Sequence, residues 1–309
     1  MLQYFKTVDN CIEPVYTIEN DVWVNMVAPT PQELSSVVTD LGIDLSYITH
    51  LLDEEEISHI DTEENQTLIV IDVPIKEKNE QGTTIHSTYP LGIVVLPKNI
   101  VTVCLKQNDV VQDIINNKVR GIKINHKTRF VFQIFYQMAV NFLQNLKMID
   151  RRSKEVEKQL HKSMKNKELI QLLDLEKSLV YFSTSLNANH VTLQKLSRGR
   201  ILPLYEEDAD LLEDVIVELK QAVEMSNIYS NILSGTMDAF ASIISNNLNI
   251  VMKFLTAITI VMAIPNMVTG FFGMNVDLPM DEWGVSLPLV SMVLLMAVVA
   301  YWMRKKDMF

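Results

Sequence analysis

The sequence predicts an α+β membrane protein, with an N-terminal α/β domain, a long helical stalk and two transmembrane helices at the C-terminus. Three observations carry this. Short β-branched runs fill the chain to about residue 126, strand signals then give way to helical periodicity, and two apolar stretches, 250–272 and 287–303, close the sequence. Each stretch is near the roughly 20 helical residues that cross a hydrocarbon core of about 30 Å.

Within 1–126, the runs 21–27, 67–73, 91–96 and 100–105 are rich in Val, Ile and Leu and bounded by Pro, Asn or Gly. That is the pattern of strands in a largely buried sheet. Thr30-Pro31-Gln32-Glu33 sets a hydroxyl at a helix N-cap, proline at the first helical position and glutamate three residues after the cap. Further helices are expected over 45–52 and 110–116.

From 127 to 203 the chain reads as a helical hairpin. Phe130, Ile134, Ala139, Phe142, Leu146 and Ile149 recur at helical spacing, charges follow as far as Lys167, and a second arm covers about 167–196. Arg198-Gly199-Arg200-Ile201-Leu202-Pro203 ends it. A third helix begins near Tyr205 and meets no proline before Pro265, while Gly235 costs it about 1 kcal/mol against alanine. Sixty residues at about 1.5 Å each reach roughly 90 Å, so 204–249 is a stalk that joins a soluble body to the membrane. Leu211, Val215, Leu219, Ala222 and Met225 form its packing stripe. Ser226, Asn227, Ser230, Asn231, Ser234, Gly235 and Thr236 then leave little for a lone helix to bury, which predicts packing against copies of the same chain.

A chain of 309 residues with 48% apolar content can bury a large core, and its length suggests about two domains. The net charge of -11 offers no support for a nucleic-acid partner, which requires a concentrated basic face. Cys11 and Cys104 form no disulfide framework, and Cys104, inside the run 100–105, reads as a buried, inert thiol compatible with a reducing compartment. Residues 1–10 lack the basic flank and apolar core of a signal peptide.

Basic residues set the orientation of the spans. Arg304, Lys305 and Lys306 follow the second span in a short tail, 304–309, and Lys253 opens the first, while the connection 273–286 has none. Both termini are therefore expected in the cytoplasm, as in a multi-pass protein of the cell membrane. Asp277, Asp281 and Glu282 of the connection face outward.

Within the first span the polar and small residues fall on one face. Asn249, Thr256, Thr259, Ala263, Asn266 and Gly270 follow steps of seven, three, four, three and four. An asparagine in hydrocarbon is costly without a partner or water, so one reading is a water-containing lumen lined by this face. The other is that Thr256 and Thr259 bond back to their own helix and Asn266 bonds across a tight helix pair. A lumen would need several copies, since two spans cannot enclose one.

Enzymatic chemistry finds little support. Asp53-Glu54-Glu55-Glu56, with His59, Asp61, Glu63 and Glu64, is the one candidate metal cluster, and no HExxH, CxxC pair, phosphate loop or nucleophile motif accompanies it. A solvated acidic turn before a strand is the simpler reading, and no organic cofactor is expected.

Phe272-Gly273-Met274-Asn275 closes the first of two C-terminal spans after a very long helix and an α/β domain. In this setting the chain resembles the CorA family of magnesium channels, two-span proteins with a Gly-Met-Asn signature. The stretch Leu51-Leu52-Asp53-Glu54-Glu55-Glu56, residues 249–255 and the basic tail Arg304-Lys305-Lys306 add to the likeness. The resemblance implies a homopentameric funnel carrying Mg²⁺ inward, with Co²⁺ and Ni²⁺ as further ions. It implies a selectivity filter at Gly273, Met274 and Asn275, where a ring of amides bonds to the hydration water of the ion. Gly273 equally suits a plain helix C-cap.

The same resemblance brings Met252 and Leu255 to the cytoplasmic entrance beside Asn249, as an apolar gate or as interhelical packing. Asp277, Asp281 and Glu282 either concentrate cations outside the mouth or simply solvate a loop. Asp214 aligns with an acid through which relatives sense internal Mg²⁺, but the stretch where its acidic partner is expected reads Ile85-His86-Ser87-Thr88-Tyr89. Regulation by Mg²⁺ is therefore expected to be weakened, with Asp214 an ordinary exposed acid as the other reading. Two rival functions stand beside magnesium transport: transport of zinc or another divalent metal by the same fold, and a membrane-anchored sensor or docking protein that does not conduct.

Overall fold

The computed structural model describes residues 1–9, 11–63, 65–78, 84–119, 121–163, 166–274 and 286–306. They form two compact units, Met1–Gly235 and Thr236–Phe309.

The first unit is built on a seven-stranded sheet. Strands β1 (Leu2–Val8), β2 (Cys11–Val15), β3 (Trp23–Val27), β4 (Ile60–Glu63), β5 (Gln66–Lys78), β6 (Thr84–Val95) and β7 (Ile100–Cys104) lie in the order β2-β1-β3-β7-β6-β5-β4. Only β3 and β7 pair in parallel; the other pairs are antiparallel. These two central strands are buried on both faces, which is why they read as nearly continuous apolar runs.

Alternation along β3 separates two cores. Val24 and Met26 face α1 (Pro31–Leu41) and α2 (Leu45–His50), in a cluster with Val37, Tyr47, Ile48 and Leu51. Trp23 faces the other side, 5.1 Å edge-on from Phe130, and its indole N–H donates to Thr102 Oγ1 at 2.8 Å. The capping box expected at the start of α1 is complete, with Thr30 accepting from the Glu33 N–H and Glu33 accepting from the Thr30 N–H. Leu51, just past α2, lies directly over Gly92 of β6, so a Cβ at position 92 would occupy the space of the leucine side chain.

The second side is covered by α3 (Asp109–Ile115) and a helical hairpin, α4 (Lys127–Ser163) and α5 (Asn166–Leu196). Pairing leaves parts of the sheet without a strand neighbour: β4 covers β5 only from Gln66 to Ile69, and β7 covers β6 only from Leu91 to Val95. Side chains of α5 supply the missing partners. Asn189 accepts from the Asp72 N–H at 2.9 Å and donates to the Asp72 carbonyl at 2.8 Å. Ser178 accepts from the His86 N–H, and Ser185 donates to Thr88 Oγ1. A polar row on a buried helix face is thereby fully used, where an apolar one would leave strand amides orphaned.

After the loop at 197–205 and a 3₁₀ turn, Glu206–Asp208, α6 runs from Ala209 to Phe272. Thr128 and Arg129, in the first turn of α4, hold its entry: Thr128 Oγ1 donates to the Pro203 carbonyl, and Arg129 donates to the Glu207 carbonyl and to buried Asp208. Tyr229 lies beside the Asp150–Lys154 pair, and burial followed by the Asp150 charge raises its hydroxyl pKa. Arg129–Asp208 and Asp150–Tyr229 share one sequence offset, so α4 and the first part of α6 run parallel. Ser183 of α5 donates to Asn227, so part of the small polar stretch assigned from sequence to contacts between copies is engaged within the chain.

The second unit contains Thr236–Phe272 of α6 and α7 (Ser286–Lys305), both apolar and long enough to cross a bilayer. Helix α6 continues through Pro265, whose missing N–H deprives Val261 of its usual donor, and reaches Phe272.

Several elements depart from the sequence reading. Strands β1 and β2 were not expected, since Lys6, Glu13 and Pro14 interrupt their alternation. The β5–β6 hairpin extends well beyond the apolar runs 67–73 and 91–96, because its outer half is polar and depends on cross-strand pairing from Val73–Tyr89 to Lys78–Thr84. Helix α6 begins at Ala209, later than Tyr205, after the clamped 3₁₀ turn.

Replacing Asn189 by alanine should strand the Asp72 N–H and carbonyl together. Urea or thermal denaturation of the full chain in detergent is expected to show a loss of about 2–4 kcal/mol. Asn187→Ala, on the exposed side of α5, should stay within about 0.5 kcal/mol of wild type.

Candidate functional site

The candidate site is built along the apolar part of α6. Most of this stretch is exposed, Val251, Phe254, Ile258, Ile260, Met262 and Met267 included. Ala257, Ile264 and Val268, at helical spacing, are buried within the chain. Asn249, Met252, Leu255, Thr256, Thr259, Asn266 and Gly270 are exposed, and Ala263 is partly exposed. Spacing puts this second group on the side turned away from the buried seam.

The hydroxyls of the stripe are already bonded. Thr256 Oγ1 donates to the Met252 carbonyl and Thr259 Oγ1 to the Leu255 carbonyl, each at 2.8 Å. Thr269 donates likewise to the Pro265 carbonyl at 2.8 Å. Back-bonding of this kind lets threonine sit in an apolar helix, and it leaves oxygen lone pairs on the surface as acceptors. Asn249 and Asn266 add amides, so the face offers oxygen ligands and N–H donors without a formal charge. At Gly270 a Cβ would meet open space.

Helix α6 ends at the tripeptide. The Gly273 N–H donates to the Thr269 carbonyl at 2.9 Å, and a Cβ at Gly273 would stand 2.9 Å from that same oxygen. Absence of a side chain is therefore what lets the last turn close here. Met274 is exposed. Asn275, Asp277, Asp281 and Glu282 lie outside the described residues.

Asp214 is exposed on α6 and lines a cavity of about 330 Å³ with Lys118, Arg129, Gln133, Tyr136 and Gln137. Both cations already have partners, Lys118 at Asp113 and Arg129 at Asp208. The stretch Ile85-His86-Ser87-Thr88-Tyr89 lies in β6, facing α5. His86 there is buried, and burial, reinforced by Lys76, lowers its pKa and favours the neutral ring. No carboxylate is brought to Asp214 from that stretch.

The acidic run before β4 is dispersed. Glu56 lies between His50 and His59, at 3.6 and 3.4 Å, and Glu54 accepts from the Tyr89 hydroxyl at 3.4 Å. Among the described residues, no group of three or more His, Cys, Asp or Glu side chains converges to hold a metal ion. Sequence reasoning did not find the Arg129–Asp208 clamp or the cations around Asp214. Their one sequence signal, a basic residue in the first turn of a helix where it opposes the dipole, was visible at Arg129.

A soluble α/β unit, one helix that continues from it into an apolar stretch, and a second apolar helix ending in basic residues define a membrane protein with two candidate spans. The chain belongs to the CorA-like Mg²⁺ transporter family, whose model matches residues 19–305. Members of this family are membrane transporters and channels, not enzymes. The cobalt/magnesium transport protein CorA of Methanocaldococcus jannaschii is 27% identical over 302 residues, covering 92% of this chain and 90% of the relative. Its counterpart in Thermotoga maritima is 22% identical over 314 residues, covering 98% and 88%.

Solved structures show the same fold. The complete CorA magnesium transporter of Methanocaldococcus jannaschii superposes with a TM-score of 0.79 at 24% identity, covering 99% of this chain and 96% of that one. The full-length CmaX protein gives 0.70 at 15% identity, with 98% and 97% covered.

Gly273→Ala should force the last turn of α6 open by placing a methyl group against the Thr269 carbonyl. The variant is expected to insert and purify like wild type but to lose most of its cation uptake in liposomes. Wild-type uptake would show that the close approach at Gly273 is dispensable.

Proposed function

We propose that this chain assembles as a homopentamer and carries Mg²⁺ into the cytoplasm, with Co²⁺ and Ni²⁺ as further substrates, through a pore lined by α6. The observation that carries this reading is the one-sided run of amides, hydroxyls and small residues on α6, turned away from the few residues that the chain buries. Lipid is a poor solvent for Asn266, whereas a hydrated lumen formed by symmetry-related copies suits it. Family membership and the two cobalt/magnesium transport relatives support the choice of ion.

In this reading, Mg²⁺ keeps its water. The ion demands octahedral geometry and dehydrates reluctantly, so neutral oxygens that bond to its hydration shell can select it without trapping it. Asn275 supplies the outermost amide ring, Gly273 and Met274 position it, and Asp277, Asp281 and Glu282 raise the local cation concentration outside the mouth. Thr256, Thr259, Ala263, Asn266 and Gly270 continue the path. Asn249, Met252 and Leu255 form its cytoplasmic entrance, where the two apolar rings gate by excluding water. The cytosolic parts are 1–126, the hairpin 127–203 and the stalk 204–249; the spans are 250–272 and 287–303, with both termini in the cytoplasm.

Purified protein in liposomes loaded with a Mg²⁺-sensitive dye tests the mechanism. Wild type should take up Mg²⁺ and Asn275→Ala should take up almost none; full uptake by the variant, or none by wild type, rejects it.

Gating by internal Mg²⁺ is weakened in this protein. A divalent clasp needs oxygen ligands from both sides, and Asp214 shares its cavity with Lys118 and Arg129. Asp214→Ala should leave the dependence of uptake on internal Mg²⁺ unchanged. If millimolar internal Mg²⁺ closes the wild type and the substitution abolishes that closure, Asp214 is a sensor after all.

A further inference from the structure

Within the first unit, the seam between the β5–β6 hairpin and the α4–α5 hairpin holds a titratable group that transport does not use. His86 of β6 is 7% exposed, its backbone N–H donates to Ser178 Oγ of α5, and its ring stands edge-on to Phe182 with 6.0 Å between centroids. The ring Nδ1 has no hydrogen-bond partner among the described residues. Lys76 of β5 is the cross-strand partner of His86, so a like charge already faces the ring; it pairs with Asp109 of α3 at 3.1 Å. From α4 comes Asn145, buried beside the ring with its Oδ1 unpaired, and a neutral amide oxygen offsets only part of a buried charge. From α5 come Ser178 and Phe182, with Asp174 one turn earlier taking the Ser178 hydroxyl on its backbone carbonyl. Asp72 of β5 meets Ser185 of α5 along the same seam, and burial raises its carboxyl pKa.

We propose that His86 is an acid-sensitive latch: a neutral ring lets α5 hold the strand edges of β5 and β6, and a protonated ring releases them. A second cation beside Lys76, inside a contact whose other ring neighbours are Phe182 and two neutral polar side chains, is what the closed seam rejects. Burial, reinforced by Lys76, accordingly lowers the His86 pKa. Above about 6.5, its ordinary value, the ring is neutral whether the seam is closed or open. As the pH falls below that value the open form takes up a proton that the closed form refuses, so the seam weakens. Asp72 works in the opposite direction, because a raised carboxyl pKa makes the closed form the better proton acceptor. Opening exposes the groups that α5 alone satisfies, the Asp72 N–H and carbonyl held by Asn189 and the His86 N–H held by Ser178, while the β5–β6 ladder stays paired.

Hydrogen exchange of the Asp72 amide, in the full chain in detergent, reads this opening. Wild type is compared with His86→Phe, which keeps an aromatic ring against Phe182, and with His86→Gln, which keeps a neutral polar side chain. The chain has six histidines, and a comparison at one position cancels the others, Asp72 and the intrinsic pH dependence of exchange. Between about pH 7.5 and about pH 5.5 the ratio of wild-type to variant protection should fall several-fold, up to the roughly tenfold limit that one proton sets over the unit below 6.5. Amides bonded across the β5–β6 ladder should not follow. A ratio that stays constant with pH for either folded variant overturns the proposal. So does an equal loss of protection in the ladder amides, which would place the effect of acid on the whole sheet instead of on the seam.

Discussion

Beyond Ile69, β5 has outrun β4, and before Leu91, β6 has no partner on its β7 side. A sheet edge in the interior must find donors and acceptors, because an unpaired buried amide costs about as much as a lost hydrogen bond. Asn189 and Ser178 meet that requirement from α5, and Ser185 bonds to the Thr88 hydroxyl beside them. Once α5 is registered against the strands, α4 is registered too, through contacts such as Phe142 against Phe182 at 5.0 Å. Arg129 and Thr128 at the start of α4 then hold the chain where α6 begins. The direction of the long helix in the first unit is thus traceable to hydrogen bonds at a strand edge.

In the second unit the controlling constraint is the hydrocarbon itself. Every backbone group inside a bilayer must be satisfied within its own segment, so only a helix serves, and the side chains are left to decide which face meets what. Alanine, isoleucine and valine at 257, 264 and 268 give a close-packed seam; amides and hydroxyls occupy the other side. Threonine tolerates both settings because it can return its proton to the preceding turn, as Thr256 and Thr259 do. The two readings of the stripe are therefore compatible: back-bonding satisfies the donors and leaves acceptor oxygens for water.

Legibility in the sequence followed the strength of local signals. The Thr30 cap, the buried strands around residues 24 and 101, the breaks near Lys167 and Pro203 and both apolar helices were legible because each depends on near neighbours. Strands β1 and β2 were not, since their charged and proline-bearing pattern is stabilised only by partners far along the chain. The stripe of the candidate site was legible from spacing alone. Asp214 stood out only by resemblance, and its setting beside Lys118 and Arg129 required three segments to converge.

The sequence by itself determined where the long helices lie, which two segments are apolar and long enough to cross a bilayer, and that one face of the first of them is polar. These are properties of hydrophobic period and length, which need no knowledge of neighbours. Only the tertiary structure decided that α5 completes the sheet, that a clamp from α4 sets the entry of α6, and which face of α6 the chain buries for itself. Such outcomes depend on groups tens of residues apart reaching hydrogen-bonding distance, and no local pattern encodes that distance.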